Sequence, residues 1–273
     1  MVPPERLAVC SWSLQPASPE ELFECIGHTG IRRIQLALDP IRENPAVWGR
    51  TIDEARRRGF ELVSGMFGTM GEDYTTMESI KATGGIVPDH TWQGNWKNIQ
   101  QIARIAADHG ISLVTFHSGF LPHDESDPSF KKILERIAQI ADLFHAHQLE
   151  LGFETGQEDA PTLHAFLTKL NRPNVGVNFD PANMILYDKG DPIEALKILA
   201  PFLKQCHVKD AIRTNIPGSW GNEVPVGKGE VDWKSFFNTL QQVGFQGNCC
   251  IEREAGNQRI EDIKTAHSYL VNL

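Results

Sequence analysis

The sequence predicts a single α/β domain spanning residues 1–273: eight parallel strands, each followed by a helix, closed into one (β/α)8 barrel. Three observations lead there. Eight strand-like runs alternate with eight helical runs, and no Pro/Ser-rich linker or change of composition divides them. No G-x-G-x-x-G follows any strand, which counts against the competing open, doubly wound sheet. The last four strand runs each finish on an ionisable residue, Glu154, Asp180, His207 or Glu252, at the end where parallel α/β folds carry their chemistry.

The elements follow in order. Residues 7–14 read as the first strand, with Trp12 near its end. Ser18-Pro19-Glu20-Glu21 starts a helix: an N-cap serine, proline at the first helical position, then acids, with Gly30 as the stop. Residues 32–39 are the second strand, 44–58 a polar helix closed by Gly59, and 61–67 the third strand. Residues 68–91 lack periodicity and contain Gly71, Gly84, Gly85 and Pro88; a stretch this long inside a compact fold reads as a lid over a site. A helix over 92–109 places Ile99, Ile102, Ile105 and Ala106 at helical spacing. Residues 111–118 form the fourth strand, and 129–147 a helix with Ile133, Ile137, Ile140 and Phe144 on one face. Strand 149–154 and helix 160–170 come next. Val175 to Phe179 alternate β-branched with small residues before Asp180, and Pro181 stops ladder pairing. Asp191-Pro192 opens a helix ending near Pro201. Strand 204–209, helix 231–243, strand 248–252 and helix 259–273 complete the chain.

Composition narrows the function. The 41% hydrophobic content fills a sizeable core, and the net charge of -9 disfavours a nucleic-acid partner, which needs a concentrated basic surface. Five cysteines, with two adjacent and no C-x-x-C, fit reduced thiols better than a disulfide framework or structural zinc, hence a cytoplasmic setting. The first six residues lack the apolar core of a signal peptide, and no run of about 18 apolar residues suits a membrane. Self-association is left open.

Side chains alternate along a strand, so residues two apart share a face. Glu154 then lies with Gly152, Asp180 with Asn178 and Gly176, His207 with Lys209, and Glu252 with Cys250 and Glu254. Small and polar neighbours beside each ionisable group suit a barrel mouth that holds a ligand. Three carboxylates converging without a cation would repel one another and take up protons. Two glutamates, an aspartate and a histidine make a ligand set for one divalent ion, Mn, Mg, Co or Zn. His117, ending Thr115-Phe116-His117, is placed to touch substrate or support a ligand; Lys209 and Arg213 to hold an anionic or hydroxylated substrate; Gly227-Lys228-Gly229-Glu230 to cradle a phosphate; Trp12, Phe67 and Trp220 to wall a pocket.

Gly152-Phe153-Glu154-Thr155, Asn178-Phe179-Asp180-Pro181-Ala182-Asn183, His207-Val208-Lys209-Asp210, the loop 225–232 and Ile251-Glu252 together resemble the xylose isomerase-like TIM-barrel superfamily, in its sugar phosphate isomerase/epimerase branch. The resemblance covers nearly the whole chain. It implies that Glu154, Asp180, His207 and Glu252 bind the metal, that the two glutamates exchange a proton, and that Arg213 contacts substrate. Ketose 3-epimerases of this family carry a histidine where this chain has Asn183, and their second glutamate after the fifth strand is placed differently from Glu158. Lys209-Asp210 is similar to inosose dehydratases. Endonuclease IV, the nucleic-acid relative, needs histidines where this chain has Met66 or Phe67 and Asn183.

The leading expectation is thus a metal-dependent isomerase or epimerase of a sugar, ketose or polyol, working through an enediolate with Glu154 and Glu252 as bases. Asn183, Glu158, His117, Lys209, Arg213 and Trp12 are the expected substrate contacts. Dehydration of an inosose-like ketone shares the first proton abstraction. Binding of metal and sugar without turnover is the third reading.

Overall fold

A computed structural model describes residues 4–273; residues 1–3, part of the segment read above as lacking a signal-like core, lie outside the described residues. Strands β1 (Leu7–Cys10), β2 (Arg33–Ala37), β3 (Glu61–Met66), β4 (Leu113–Phe116), β5 (Glu150–Glu154), β6 (Val175–Phe179) and β7 (Leu203–Val208) follow the predicted order. Next come β8 (Asp210–Ile212) and β9 (Asn222–Val224), an antiparallel pair outside the barrel, and then β10 (Cys249–Ile251). The other eight strands close a parallel barrel in which β10 lies between β7 and β1. Register sets Glu154 beside Asn178 and Cys250 beside His207. The ends of β5, β6, β7 and β10 therefore meet on one rim.

Local chemistry accounts for the elements. Ser18 accepts the amide of Glu21 and Pro19 opens the helix Pro19–Thr29, which ends on left-handed Gly30. Leu151, Phe153, Val177, Phe179, Val208 and Ile251 pack outward into the layer beneath the helices, all within 1% of full burial. The lumen is polar instead. Ser64 Oγ donates to Gln205 Oε1 at 2.7 Å, Gln205 Nε2 to Asn178 Oδ1 at 3.2 Å, and Gln35 Nε2 to Thr115 Oγ1 at 2.8 Å. Amides are tolerated there because each finds a partner.

Several boundaries differ from expectation. The first strand stops at Cys10, and Ser11–Leu14 turns as a 3-10 helix. The helix expected over 44–58 is two pieces, Pro45–Trp48 and Thr51–Arg57, and a further short helix, Asp39–Glu43, precedes them. Pro45 has no amide hydrogen to give and pushes Asn44 out of the helical region, to φ -134 and ψ 67. The stretch 68–91 is partly ordered: Thr76 and Ser79 form a reciprocal capping box on the helix Met77–Thr83, and the next helix opens already at Asp89. The β8–β9 pair was not foreseen. Among the described residues, no helix is long and apolar enough to cross a membrane.

Candidate metal centre

His207 sits on β7 with its ring in the lumen, 0% exposed. Its Nε2 lies 2.9 Å from Gln35 Oε1 and 2.9 Å from the Asn178 amide. With the proton on Nε2 donated to Gln35, the other nitrogen is directed at the rim. Nδ1 lies 3.2 Å from Glu252 Oε2, 3.3 Å from Glu154 Oε1 and 3.8 Å from Asp180 Oδ2. Glu154, Asp180, His207 and Glu252 thus each offer one ligand atom, all within 4.8 Å of one another and all buried.

Asp180 and Glu154 are each hydrogen-bonded through one oxygen, Glu252 through both. Asp180 Oδ1 accepts the amides of Ala182 and Asn183 at 2.8 and 3.0 Å, capping the helix Pro181–Leu186. Glu154 Oε1 accepts Asn183 Nδ2 at 3.0 Å, and Glu252 Oε1 accepts Trp12 Nε1 at 2.7 Å. Lys209 Nζ, 3% exposed, reaches Glu252 Oε2 at 2.7 Å, Glu254 Oε2 at 3.1 Å and Asp180 Oδ2 at 3.2 Å. Glu154 Oε2, Asp180 Oδ2 and His207 Nδ1 are nonetheless buried without an aligned hydrogen bond. Such unpartnered atoms on two anions and an imidazole, within a group whose ligand atoms lie within 4.8 Å of one another, suit a divalent cation, so the residues present fit the group.

The electrostatics agree. Burial pushes the Glu154 carboxyl up, but His117, His207 and Lys209 outweigh it and bring it down to about 2. Glu252 also falls to about 2, where burial is outweighed by His207 and Lys209. Burial would lower the His207 imidazole, yet Glu252 and Glu154 raise it well above its ordinary value. Protons on His207 and Lys209 balance the anionic rim, and an ion bound at Nδ1 would take one proton's place.

A cavity of about 500 Å³ is lined by Trp12, Phe67, Trp220, His117, Asn183 and Lys209 from the sequence prediction, and of these Trp12, Asn183 and Lys209 bond to the buried carboxylates. His117 Nε2 stands 3.6 Å from Glu154 Oε2. Asp39, Glu72, Tyr74, Tyr187 and Glu254 also line it and were not foreseen as wall residues. Tyr74 and Glu72 lie in the irregular stretch, where no periodicity assigns a face. Gln35 was missed behind His207, although a lone amide inside an apolar strand was a usable signal.

Two expected substrate residues stand elsewhere. Glu158 accepts the amide of Leu121 at 2.6 Å and does not line the cavity; burial pushes its carboxyl up to about 8. Arg213 pairs with Asp188 and the carbonyl of Gly190, also outside the cavity. The supposed phosphate cradle is filled from within. Asp210 Oδ1 accepts Ala211 N at 2.9 Å and Val231 N at 3.2 Å, while Oδ2 accepts Gly227 N at 2.8 Å, Gly229 N at 3.2 Å and Trp233 Nε1 at 3.0 Å.

Comparison with known proteins places this geometry. The family model described as xylose isomerase-like TIM barrel matches residues 30–273. A xylose isomerase domain protein from Planctomyces limnophilus has a similar crystal structure, with TM-score 0.90 and 29% identity over 98% of this chain and 96% of that one. The probable 3-DHS dehydratase AsbF from Bacillus anthracis superposes with TM-score 0.75 at 16% identity, covering 98% and 99% of the two chains. An L-ribulose 3-epimerase does so with TM-score 0.74 at 14% identity, covering 98% and 93%. At those identities the likeness is one of fold. The uncharacterized protein YihM of Escherichia coli (strain K12) is 27% identical over 149 residues, 54% of this chain. That match spans 45% of YihM, under half of its length.

Proposed function

Because the chain belongs to the xylose isomerase-like TIM-barrel family, we propose that it is a divalent-metal-dependent sugar isomerase or epimerase that moves a proton beside a carbonyl. One observation carries the reading: two buried glutamates flank His207 Nδ1 at 3.3 and 3.2 Å, each hydrogen-bonded to a residue of the cavity wall, Asn183 or Trp12. In this reading Glu154, Asp180, His207 and Glu252 hold the ion. When bound, a divalent ion supplies Lewis-acid polarisation of a substrate carbonyl. One glutamate takes the proton on the carbon beside that carbonyl and the other returns one, through an enediolate. Asn183 and Trp12 each fix one carboxylate oxygen of these bases, at 3.0 and 2.7 Å, so neither has to be oriented during the reaction. Lys209 and His117 donate to substrate oxygens. The apolar walls keep water from the enediolate. The stretch 68–91 serves as the lid, since Glu72 and Tyr74 already line the cavity.

Lys209 favours one second reading, dehydration of a keto-polyol. An ammonium buried beside Glu252 is placed to protonate a hydroxide leaving after the same first step. Asp210, by contrast, is committed to its five donors and takes no part.

Incubation with a ketose panel in D₂O and Mn²⁺ separates the readings. Solvent exchange with epimerisation is expected; exchange with loss of water supports dehydration; binding without exchange makes the protein a binder only. Glu154→Gln and Glu252→Gln each keep an oxygen ligand and are expected to lose at least about 10²-fold in rate. Wild-type rates in both variants with metal bound would disprove the two-base assignment.

A further inference from the structure

The groups that sequence offered for an anionic substrate are engaged elsewhere. Lys209 Nζ is shared among Glu252, Glu254 and Asp180 at 2.7, 3.1 and 3.2 Å. Arg213 turns to Asp188, and the amides of Gly227 and Gly229 point at the Asp210 carboxylate. The cavity wall itself carries the opposite charge: Asp39, Glu72 and Glu254 all line it. Arg42 reaches Asp39 at 2.9 Å but does not line the cavity, and Glu72 is met by the amides of Gly85 and Thr69. Away from the metal position, a phosphate brought to this wall would face these carboxylates, and the Lys209 ammonium is already shared among three carboxylates of its own.

Aromatic rings make up much of the rest of the wall. Tyr187 and Trp220 meet edge to face at 4.7 Å, and Trp12 and Tyr74 complete the sides. Beyond Trp12 and Ala37 a second cavity of about 230 Å³ opens toward Leu22, Leu36, Pro40 and Trp48. Trp12 and Ala37 line both spaces, so a ligand held in the first has an apolar recess beside it. Asp39, Glu72, Glu254 and Asn183 offer acceptors to the hydroxyls of an uncharged sugar on one part of the wall. The ring faces of Trp12, Tyr187 and Trp220 offer no such partner and suit a flat apolar group.

We propose that the ligand is an uncharged sugar or polyol bearing a flat apolar substituent, such as an aryl aglycone, and that sugar phosphates are rejected. The sugar sits over Glu154 and Glu252, and the apolar group lies along Trp12 and Ala37 in the adjoining space. Which end reacts rests on the isomerase reading above; the class of ligand rests on the walls.

The test is calorimetry on the Mn²⁺-loaded protein with three probes: methyl β-D-glucopyranoside, 4-nitrophenyl β-D-glucopyranoside and glucose 6-phosphate. The aryl glycoside is expected to bind at least about tenfold tighter than the methyl glycoside, and the phosphate at least about tenfold weaker than the aryl compound. Ala37→Leu, which adds bulk at a wall the two spaces share, should erase the aryl preference. Trp48→Ala, at the far wall, should reduce it, and serves if Ala37→Leu does not fold. Equal affinity for the aryl and methyl glycosides, tight binding of the phosphate, or no aryl binding in the millimolar range overturns the proposal. Aryl binding without proton exchange on any ketone would defeat the isomerase reading and leave this one standing. Exchange on free ketoses with no aryl preference would do the reverse.

Discussion

Asp210 is the residue whose removal the structure prices most directly. Its carboxylate is 0% exposed and accepts five N–H groups, from Ala211, Val231, Gly227, Gly229 and the Trp233 indole. Asp210→Ala strands all five. Gly227 is exposed and water reaches it, but Ala211, Val231 and Trp233 are buried. At about 1.3 kcal/mol for each buried donor left unpaired, toward the low end of the usual range, three such donors amount to about 4 kcal/mol. For a chain of this size that lowers Tm by about 8–16 °C. Asp210→Asn is no remedy: one amide oxygen can serve Ala211 and Val231, but its NH₂ then confronts Gly227, Gly229 and Trp233 donor to donor. Gly229→Ala attacks the same contact from the other side, because a Cβ there would lie 2.1 Å from Asp210 Oδ1. Urea unfolding of the three variants beside wild type reads the effect. A loss below about 1 kcal/mol in both Asp210 variants would refute the idea that this carboxylate holds the loop to the barrel.

The other predictions concern a buried acid and the loop. Burial raises Glu158 from an ordinary 4.5 to about 8, so the folded protein binds a proton more tightly than the unfolded chain between those values. Stability should fall as pH rises through that window, by at most roughly 5 kcal/mol at ~1.4 kcal/mol per tenfold. Glu158→Gln keeps an acceptor for Leu121, so it should match wild type at pH 5 and exceed it at pH 9; a constant difference in urea midpoint between the two would dismiss the argument. If 68–91 is a lid, a saturating ligand should slow amide exchange there more than in the helix Pro128–Ala146. Identical exchange with and without ligand would leave it a surface loop.

Residues differ sharply in how readable they were. Glu154, Asp180, His207 and Glu252 were legible because strand period fixes the face and strand ends fix the rim, so four local patterns predict one meeting point. Ser18, Pro19 and Gly30 were legible as helix punctuation. Glu158 and Arg213 lie past strand ends, where backbone period no longer governs direction; only the positions of Leu121 and Asp188 decide where they turn. Gly227 and Gly229 correctly marked a nest of amides, yet sequence could not say that Asp210, 17 and 19 residues earlier, fills it. The β8–β9 pair escaped notice because three-residue strands show too little alternation to register. The charge on the cavity wall was invisible for a similar reason, since Asp39, Glu72 and Glu254 come from three separate connections.

Asp180 holds a helix and a ligand position with the two oxygens of one carboxylate. The first turn at Pro181 cannot form its cap without fixing that side chain, so the free oxygen is aimed as soon as the chain folds. A population drifting without demand for activity could lose Glu154 or Glu252 at the cost of an ion pair and one hydrogen bond, from Asn183 or Trp12. It could not discard Asp180 so freely, because the replacement would uncap the helix. The aspartate would outlast its neighbours in an inactive descendant, the last trace of a lost chemistry.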